Sequence, residues 1–435
     1  MTELATHSGF TSESFSAFLE TRNEPSWVSD LRKKAWESYE SLEMPHRRLE
    51  EWRRTDLRPL RLNRYGFALE KTAEVQPEEA LLSLGVELGG QVGSVDSFPQ
   101  SSFLEEKYQE QGVLFGSLSE ILNTHGDLLK PYFLQLVNTD YDKFSALHAA
   151  GWSGGAVLYV PKGVKVDLPL HMWSAISAGG VDFSHTLVIL ESGAEATLMA
   201  ETLGRGNDPG LHCGGVELFV GEKAKLRYVN LQNWGMGTFH FAHQKARVEK
   251  KAQLQWTIGA LGARLAKVNQ HVELTGEESQ AQVNGVMFTE DKQHLAYHTL
   301  QHHRAENAIS DLLYKSALQD KSHLVWRGMI KVDSVAQKTN GYQRNDNLML
   351  SNHARTDSIP GLEIEADDVI CTHGATTGKV EEEQIVYAQS RGLTKKEATR
   401  MIVAGFFQQI FDRITIESVK EALAEAIGRR IREYV

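Results

Sequence analysis

The chain has 435 residues, 41% hydrophobic and 24% charged, which is enough for a large core spread over two or three domains. Its formal net charge of −11 argues against nucleic acid as the main partner. No run of about 18 apolar residues is present and the N-terminus has neither a basic nor an apolar leader segment, so no membrane span and no secretory signal are expected. Cys213 and Cys371 are the two cysteines, too few for a disulfide framework, and a reducing, cytoplasmic compartment fits them.

Residues 1 to about 24 are polar and read as frayed. Pro25 suits the start of a helix carrying Trp27, Val28, Leu31, Ala35, Tyr39 and Leu42 at helical spacing, with Pro45 beyond its end. The charged run from Glu50 to Leu57 surrounds Trp52, and its plain reading is a solvated segment with one tryptophan packed on the domain. Residues 58 to 110 alternate weakly and suggest loops with a few short elements. Val113 to Phe115 suits a strand, Ser117-Leu118-Ser119-Glu120 a capping box, and Asp142 to Ala150 a helix. A mixed, mainly helical first domain over 1–150 follows.

From Gly154 the texture changes to short strands broken by Gly, Asn and acidic turns. Leu190-Glu191-Ser192-Gly193-Ala194 resembles Val220-Gly221-Glu222-Lys223-Ala224, then Val248 to Ala252, then Leu274 to Ser279. The small residues at 194, 224, 252 and 279 are 30, 28 and 27 apart, and Ala308, Ser322 and Ala354 continue the series with insertions and a half turn. A period near thirty made only of strands predicts a β-solenoid over about 155 to 380, with each small residue at a tight corner. The 17 histidines include His294, His298, His302 and His303, whose spacing aligns them on one face of a helix or a strand. A polar sheet face is the plainer reading of them, and a metal site the sharper one. His240 and His243 beside Phe239 and Phe241, and Cys213 beside Gly214-Gly215, read as packed side chains.

Gly361 to Gly378 reads as two short strands with a corner at Asp367-Asp368. Leu362, Ile364 and Ala366 alternate with acids, and Val369, Cys371 and His373 share one face of the next strand. A thiol and an imidazole two residues apart stand side by side and suit zinc or iron, yet fill only two places of a site that usually needs four. A buried thiol and a core imidazole are the plain alternative. Beyond them, residues 381–435 are helical: Glu381-Glu382-Glu383 suits a helix start, Gly392 a stop, and Thr394-Lys395-Lys396-Glu397 a capping box. Ala398, Met401, Ile402, Gly405, Phe406 and Ile410 form one apolar stripe, Phe407 and Phe411 suggest a second face, and a last helix follows. The plain reading is that these helices close the last coil; the sharper one is that their apolar faces dock a partner.

No phosphate-binding P-loop, dinucleotide fingerprint or nucleophile elbow is present, so ATP hydrolysis by the chain alone is not expected. The absence of Cys-x-x-Cys excludes a self-sufficient thiolate cluster site.

Pro25-Ser26-Trp27, Glu50 to Leu57, Val160-Pro161-Lys162-Gly163-Val164, Tyr228 to Trp234, Pro360 to Ile364, Cys371-Thr372-His373-Gly374-Ala375-Thr376 and Ser390-Arg391-Gly392-Leu393, in this order and spacing, resemble the SufB/SufD family of iron–sulfur cluster assembly proteins. The Cys371 to Thr376 stretch is more similar to the SufD branch, since the Glu-Ala pair that follows the SufB histidine is absent. The resemblance covers nearly the whole chain. It implies a right-handed parallel β-helix core over 151–380 between N-terminal and C-terminal helical regions. It also implies a non-enzymatic scaffold that pairs with a SufB-like subunit, docks a SufC-like ATPase and serves apo iron–sulfur proteins or carriers. A homodimer is the form open to the isolated chain. His373 matches the histidine implicated in holding nascent cluster at the subunit interface; Cys371 matches the motif but is the weaker ligand, because the family's sulfur-accepting cysteine sits on SufB. The cluster would be transient and shared, with no stable cofactor on the chain alone; a reduced flavin associated with such complexes finds no motif here. A SufB-like sulfur acceptor acting through Cys371 or Cys213, and a carbohydrate-active β-helix enzyme, are the competing functions.

Overall fold

Two sheets of ten strands each run the length of the protein in a computed structural model that describes residues 9–69, 80–204 and 206–432. From Leu170–Ala175 onward the chain alternates between them. Glu195–Leu203, Lys225–Gln232, Gln253–Ala260, Gln280–Thr289, Ile309–Leu318, Thr339–Met349 and Val369–Lys379 stack in parallel in the first sheet. Pro209–Val220, Gly237–Val248, Leu265–Leu274, His294–His303, His323–Val332 and Arg355–Ile364 do the same in the second. Each coil gives one strand to each sheet, and the fold is the expected β-solenoid.

The repeat of small residues has a local cause. Ala194, Ala224, Ala252 and Ser279 each end a turn in which their N–H donates to the carbonyl three residues back. The residue before each is left-handed: Gly193 at φ 72°, Lys223 at 58°, Lys251 at 57° and Glu278 at 59°. A left-handed residue with a β-carbon is strained by about 1 kcal/mol. Here its amide reaches the neighbouring coil, as Lys223 N to Lys250 O at 2.9 Å and Lys251 N to Glu277 O at 2.9 Å. The small side chain that follows turns inward and is wholly buried at all four corners. Ala308 repeats this corner after left-handed Asn307. Ser322 and Ala354 precede strands of the second sheet and lie at the opposite corner, half a turn away.

The N-terminal end of the solenoid is closed by antiparallel strands. Phe98–Leu104 pairs back on Gly90–Val95 in one sheet, and Leu114–Ser117 runs against Gly154–Val160 in the other. Residues 58–110 thus contribute two strands where mainly loops were expected; 70–79 lie outside the described residues. The N-terminal helices lie on the outer face of the second sheet, where Phe144 stacks on Phe241 at 3.6 Å and Trp52 packs against both. Glu217, fully buried, accepts from the amides of Leu134, Leu136 and Val137 and pins that loop to the sheet.

Three local expectations need correction. Residues 12–20 are not frayed but a helix, Ser12–Glu20, because Phe15 and Phe18 anchor it in the aromatic cluster under Phe67. Ser117 makes no side-chain cap bond: it is the last residue of its strand, and its hydroxyl is buried without a partner. The C-terminal helices Glu382–Ser390, Lys395–Phe411 and Glu417–Arg430 do not close the last coil. They fold back on the outer face of the first sheet, where Phe407, Ile410 and Leu423 meet Leu231, Val286, Phe288 and Leu313. The Thr394–Glu397 capping box is formed as expected. No helix among the described residues is long and apolar enough to cross a membrane.

Candidate functional site

The last coil is built from Arg355–Ile364 and Val369–Lys379, joined by the corner at Asp367-Asp368. Asp368 ties that corner down, accepting from Lys338 N at 2.6 Å and donating its own amide to Gln337 Oε1 at 2.9 Å. Each of the two strands has a neighbour on one side only: His323–Val332 for the first and Thr339–Met349 for the second. The coil therefore presents two free strand edges side by side.

Its inward face is also uncovered. Leu362 and Ile364 are in register with Ile330 and Val332, which are wholly buried, yet they are 37% and 40% exposed. Ile370, facing outward on the neighbouring strand, is 67% exposed. Alternation gives the correct inside and outside here; only a further layer is missing.

Cys371 and His373 lie on this coil and share a face. Cys371 is in register with Gly341 and His373 with Gln343, whose side chain is buried. A β-carbon on Gly341 would come within 3.3 Å of the Cys371 sulfur, so glycine makes room for the thiol. Cys371 packs at the edge of the small cluster of Ile330, Val332, Ala336 and Ala366, and burial pushes its thiol up from the ordinary range. At neutral pH it is a thiol, not a thiolate. His373, two residues on, is exposed at the open end. Among the described residues no group of three or more His, Cys, Asp or Glu is gathered as for a metal ion.

The other histidines and Cys213 lie elsewhere. His294–His303 is a strand, so His294, His298 and His302 share the outer face of the second sheet, while His303 turns inward to Ser310 at 2.7 Å. His302 pairs with Asp333 at 2.7 Å and His294 with His323 at 3.1 Å. His240 is buried against His212 and Trp234, and His243 faces Asp142 at 3.4 Å. Cys213 is buried in the aromatic cluster and its thiol is pushed well up by burial.

A second apolar exposure lies on the C-terminal helices. Val386, Tyr387 and Met401 are 58%, 62% and 55% exposed on the side away from the sheet. Phe407 and Phe411, expected on a docking face, are buried against the sheet together with Ala398 and Ile410 of the first stripe, of which Met401 and Gly405 are the exposed members. Periodicity alone could not divide the two faces; Val386 and Tyr387, adjacent and apolar in a short helix, were the available signal.

Comparison with known proteins gives one consistent result. The family model for the SUF system FeS cluster assembly SufBD core domain matches residues 173–406, and that for the SufBD protein N-terminal region matches 14–172. An iron–sulfur cluster assembly SufBD family protein of Staphylococcus haemolyticus is 28% identical over 417 residues, covering 92% of this chain and 88% of its own. Counterparts in Staphylococcus epidermidis, over 430 residues, and Staphylococcus aureus, over 417, are also 28% identical.

Proposed function

The chain belongs to the SufBD family of iron–sulfur cluster assembly proteins, and from that premise we propose that it is a SufD-like scaffold subunit of a cluster-assembly complex. The observation that carries the reading is the open last coil. Two unpaired edges and an uncovered apolar face invite strand addition, the usual way in which a sheet edge recruits another chain. A SufB-like subunit that extends both sheets would cover Leu362, Ile364 and Ile370 in one step. It would also bring its own side chains against His373.

In that setting the cluster is cargo rather than a resident cofactor. Neutral imidazole is a good iron ligand, and His373 supplies one place while the partner supplies the others. Cys371 is half-buried and protonated, which favours His373 over it as ligand and weighs against a sulfur-accepting role for this chain. The exposed Val386, Tyr387 and Met401 are the face for a SufC-like ATPase, which would supply the nucleotide hydrolysis that this chain's sequence does not encode. The scaffold itself is non-enzymatic, and its clients are apo iron–sulfur proteins or carriers in the cytoplasm.

Hydrogen exchange tests the reading. Amides of 355–379 should gain protection when the SufB-like subunit binds. Unchanged exchange there in an assembled complex would place the interface elsewhere.

A further inference from the structure

Between residues 47–59 and one corner of the solenoid lies a groove of about 740 Å³. That volume suits a small organic ligand. Arg47, Arg53 and Arg54 line the N-terminal side. Arg264, Lys292, Lys321 and Arg355 line the solenoid side. The acidic residues of the lining are Asp56 and Asp357, and both are already engaged. Asp56 holds Arg58 at 2.6 Å, while Asp357 holds Arg355 at 3.0 Å and His323 at 2.7 Å. In a chain of formal charge −11 this is a local concentration of the opposite sign.

The charge is built in rather than scattered. Lys292 and Lys321 each lie two residues before His294 and His323, which are in register on adjacent coils. Adjacent coils are about 4.8 Å apart, so two ammonium-bearing chains start side by side where like charges repel. The carboxylates Asp291 and Asp320 of the same corner line an adjoining groove with Lys292 and Lys321, but they are already engaged. Asp291 and Asp320 hold Arg432 at 3.1 and 3.0 Å, and Glu290 lies 3.5 Å from Arg430 and 3.3 Å from Arg432. Among the described residues Lys292, Lys321 and Arg264 form no ion pair; Arg264 instead lies over the Phe239 ring at 5.6 Å. The groove floor is held by a hydrogen-bonded run from Thr55 to His294 at 3.1 Å, His294 to His323 at 3.1 Å, and His323 to Asp357.

We propose that this groove binds a phosphorylated small molecule through its phosphates, held on Lys292, Lys321 and Arg264. Paired lysines and a guanidinium match adjacent phosphate groups, which a single carboxylate would not satisfy. Phe239 and Leu265 line the groove but are each only 4% exposed, so the cationic side chains carry the contact. A nucleic-acid strand is disfavoured, because the rest of the chain would repel a long polyanion.

Titration calorimetry of the full chain at low salt, with inorganic pyrophosphate and with adenosine diphosphate, tests this. Both should bind with sub-millimolar affinity that weakens as salt is raised. Lys292→Glu with Lys321→Glu should lower affinity at least tenfold. Lys33→Glu with Lys34→Glu, an equal charge change on an exposed helix face, should leave it unchanged. Should the double reversal disturb folding, Lys292→Gln with Lys321→Gln replaces it, with the same loss expected. Similar affinity for the two is expected, because the phosphates carry the contact. No binding of either, groove variants that bind like the wild type, or capture of an acidic peptide with neither phosphate bound would overturn the proposal.

Discussion

Ile330 and Leu362 are register partners on adjacent coils and point to the same side of the same sheet, yet Ile330 is wholly buried and Leu362 is 37% exposed. The difference is the missing next layer. Leu362→Asp should therefore leave the isolated chain folded, with a thermal midpoint within a few degrees of wild type, because surface changes usually alter stability by less than about 0.5 kcal/mol. Binding of the SufB-like subunit should fall by tenfold or more. Wild-type binding by a folded variant, read by calorimetry or co-purification, would mean that the open coil is not the docking end.

Ala224 tests the corner. Its methyl is wholly buried after left-handed Lys223, and a leucine there has no room. Ala224→Leu should destabilise the chain by about 1–3 kcal/mol in urea unfolding. An unchanged midpoint would contradict the corner packing.

The two faces of the C-terminal helices should separate by mutation. Phe407→Ala removes a fully buried ring from the helix–sheet contact and should cost about 3–5 kcal/mol. Met401→Asp, on the exposed side, should leave stability near wild type and weaken ATPase binding. Loss of stability in Met401→Asp, or unchanged ATPase binding, would move the docking face away from Met401.

Acid should weaken the fold through its buried imidazoles. Burial lowers His240 and His303 to about 3 and His271 to about 4, against an ordinary 6.5. Because the folded state resists protonation, the stability they contribute is full above 6.5 and is lost as pH falls toward those values. Each removes up to ~1.4 kcal/mol per pH unit in that window. Asp182, which burial pushes up to about 6, acts the other way: it adds stability as pH falls from 6 toward 3.8. His294, lowered to about 3, acts in the same direction as the other imidazoles, and the lowered imidazoles outnumber the raised carboxyls Asp182 and Glu290, so the urea midpoint should drop between pH 7.5 and pH 5. A flat midpoint would contradict this.

Much of the fold was readable because its causes are local. The small residues at 194, 224, 252 and 279 follow left-handed positions, and that pairing is a constraint on sequence. The shared face of Cys371 and His373 follows from strand alternation alone. The openness of the last coil was not readable, because Leu362 and Ile364 have the same alternation whether or not another layer covers them. The place of Phe407 is hidden in the sequence for a related reason: helical periodicity marks an apolar face without saying whether the chain's own sheet or another protein meets it. The cationic groove is not legible in the sequence, because Arg54, Arg264, Lys292 and Lys321 are far apart along the chain and are gathered only by the fold.

The central claim is that His373, exposed on the open coil, contributes a ligand to cluster held between this chain and its partner. The direct measurement is the iron and sulfide content of the assembled complex carrying His373→Ala, after reconstitution with iron, a sulfur donor and ATP. The complex should assemble as wild type does, because the exposed imidazole supports no buried packing, and its cluster content should fall severalfold. Cys371→Ser should lower it less. Wild-type iron and sulfide in an intact His373→Ala complex would contradict the account.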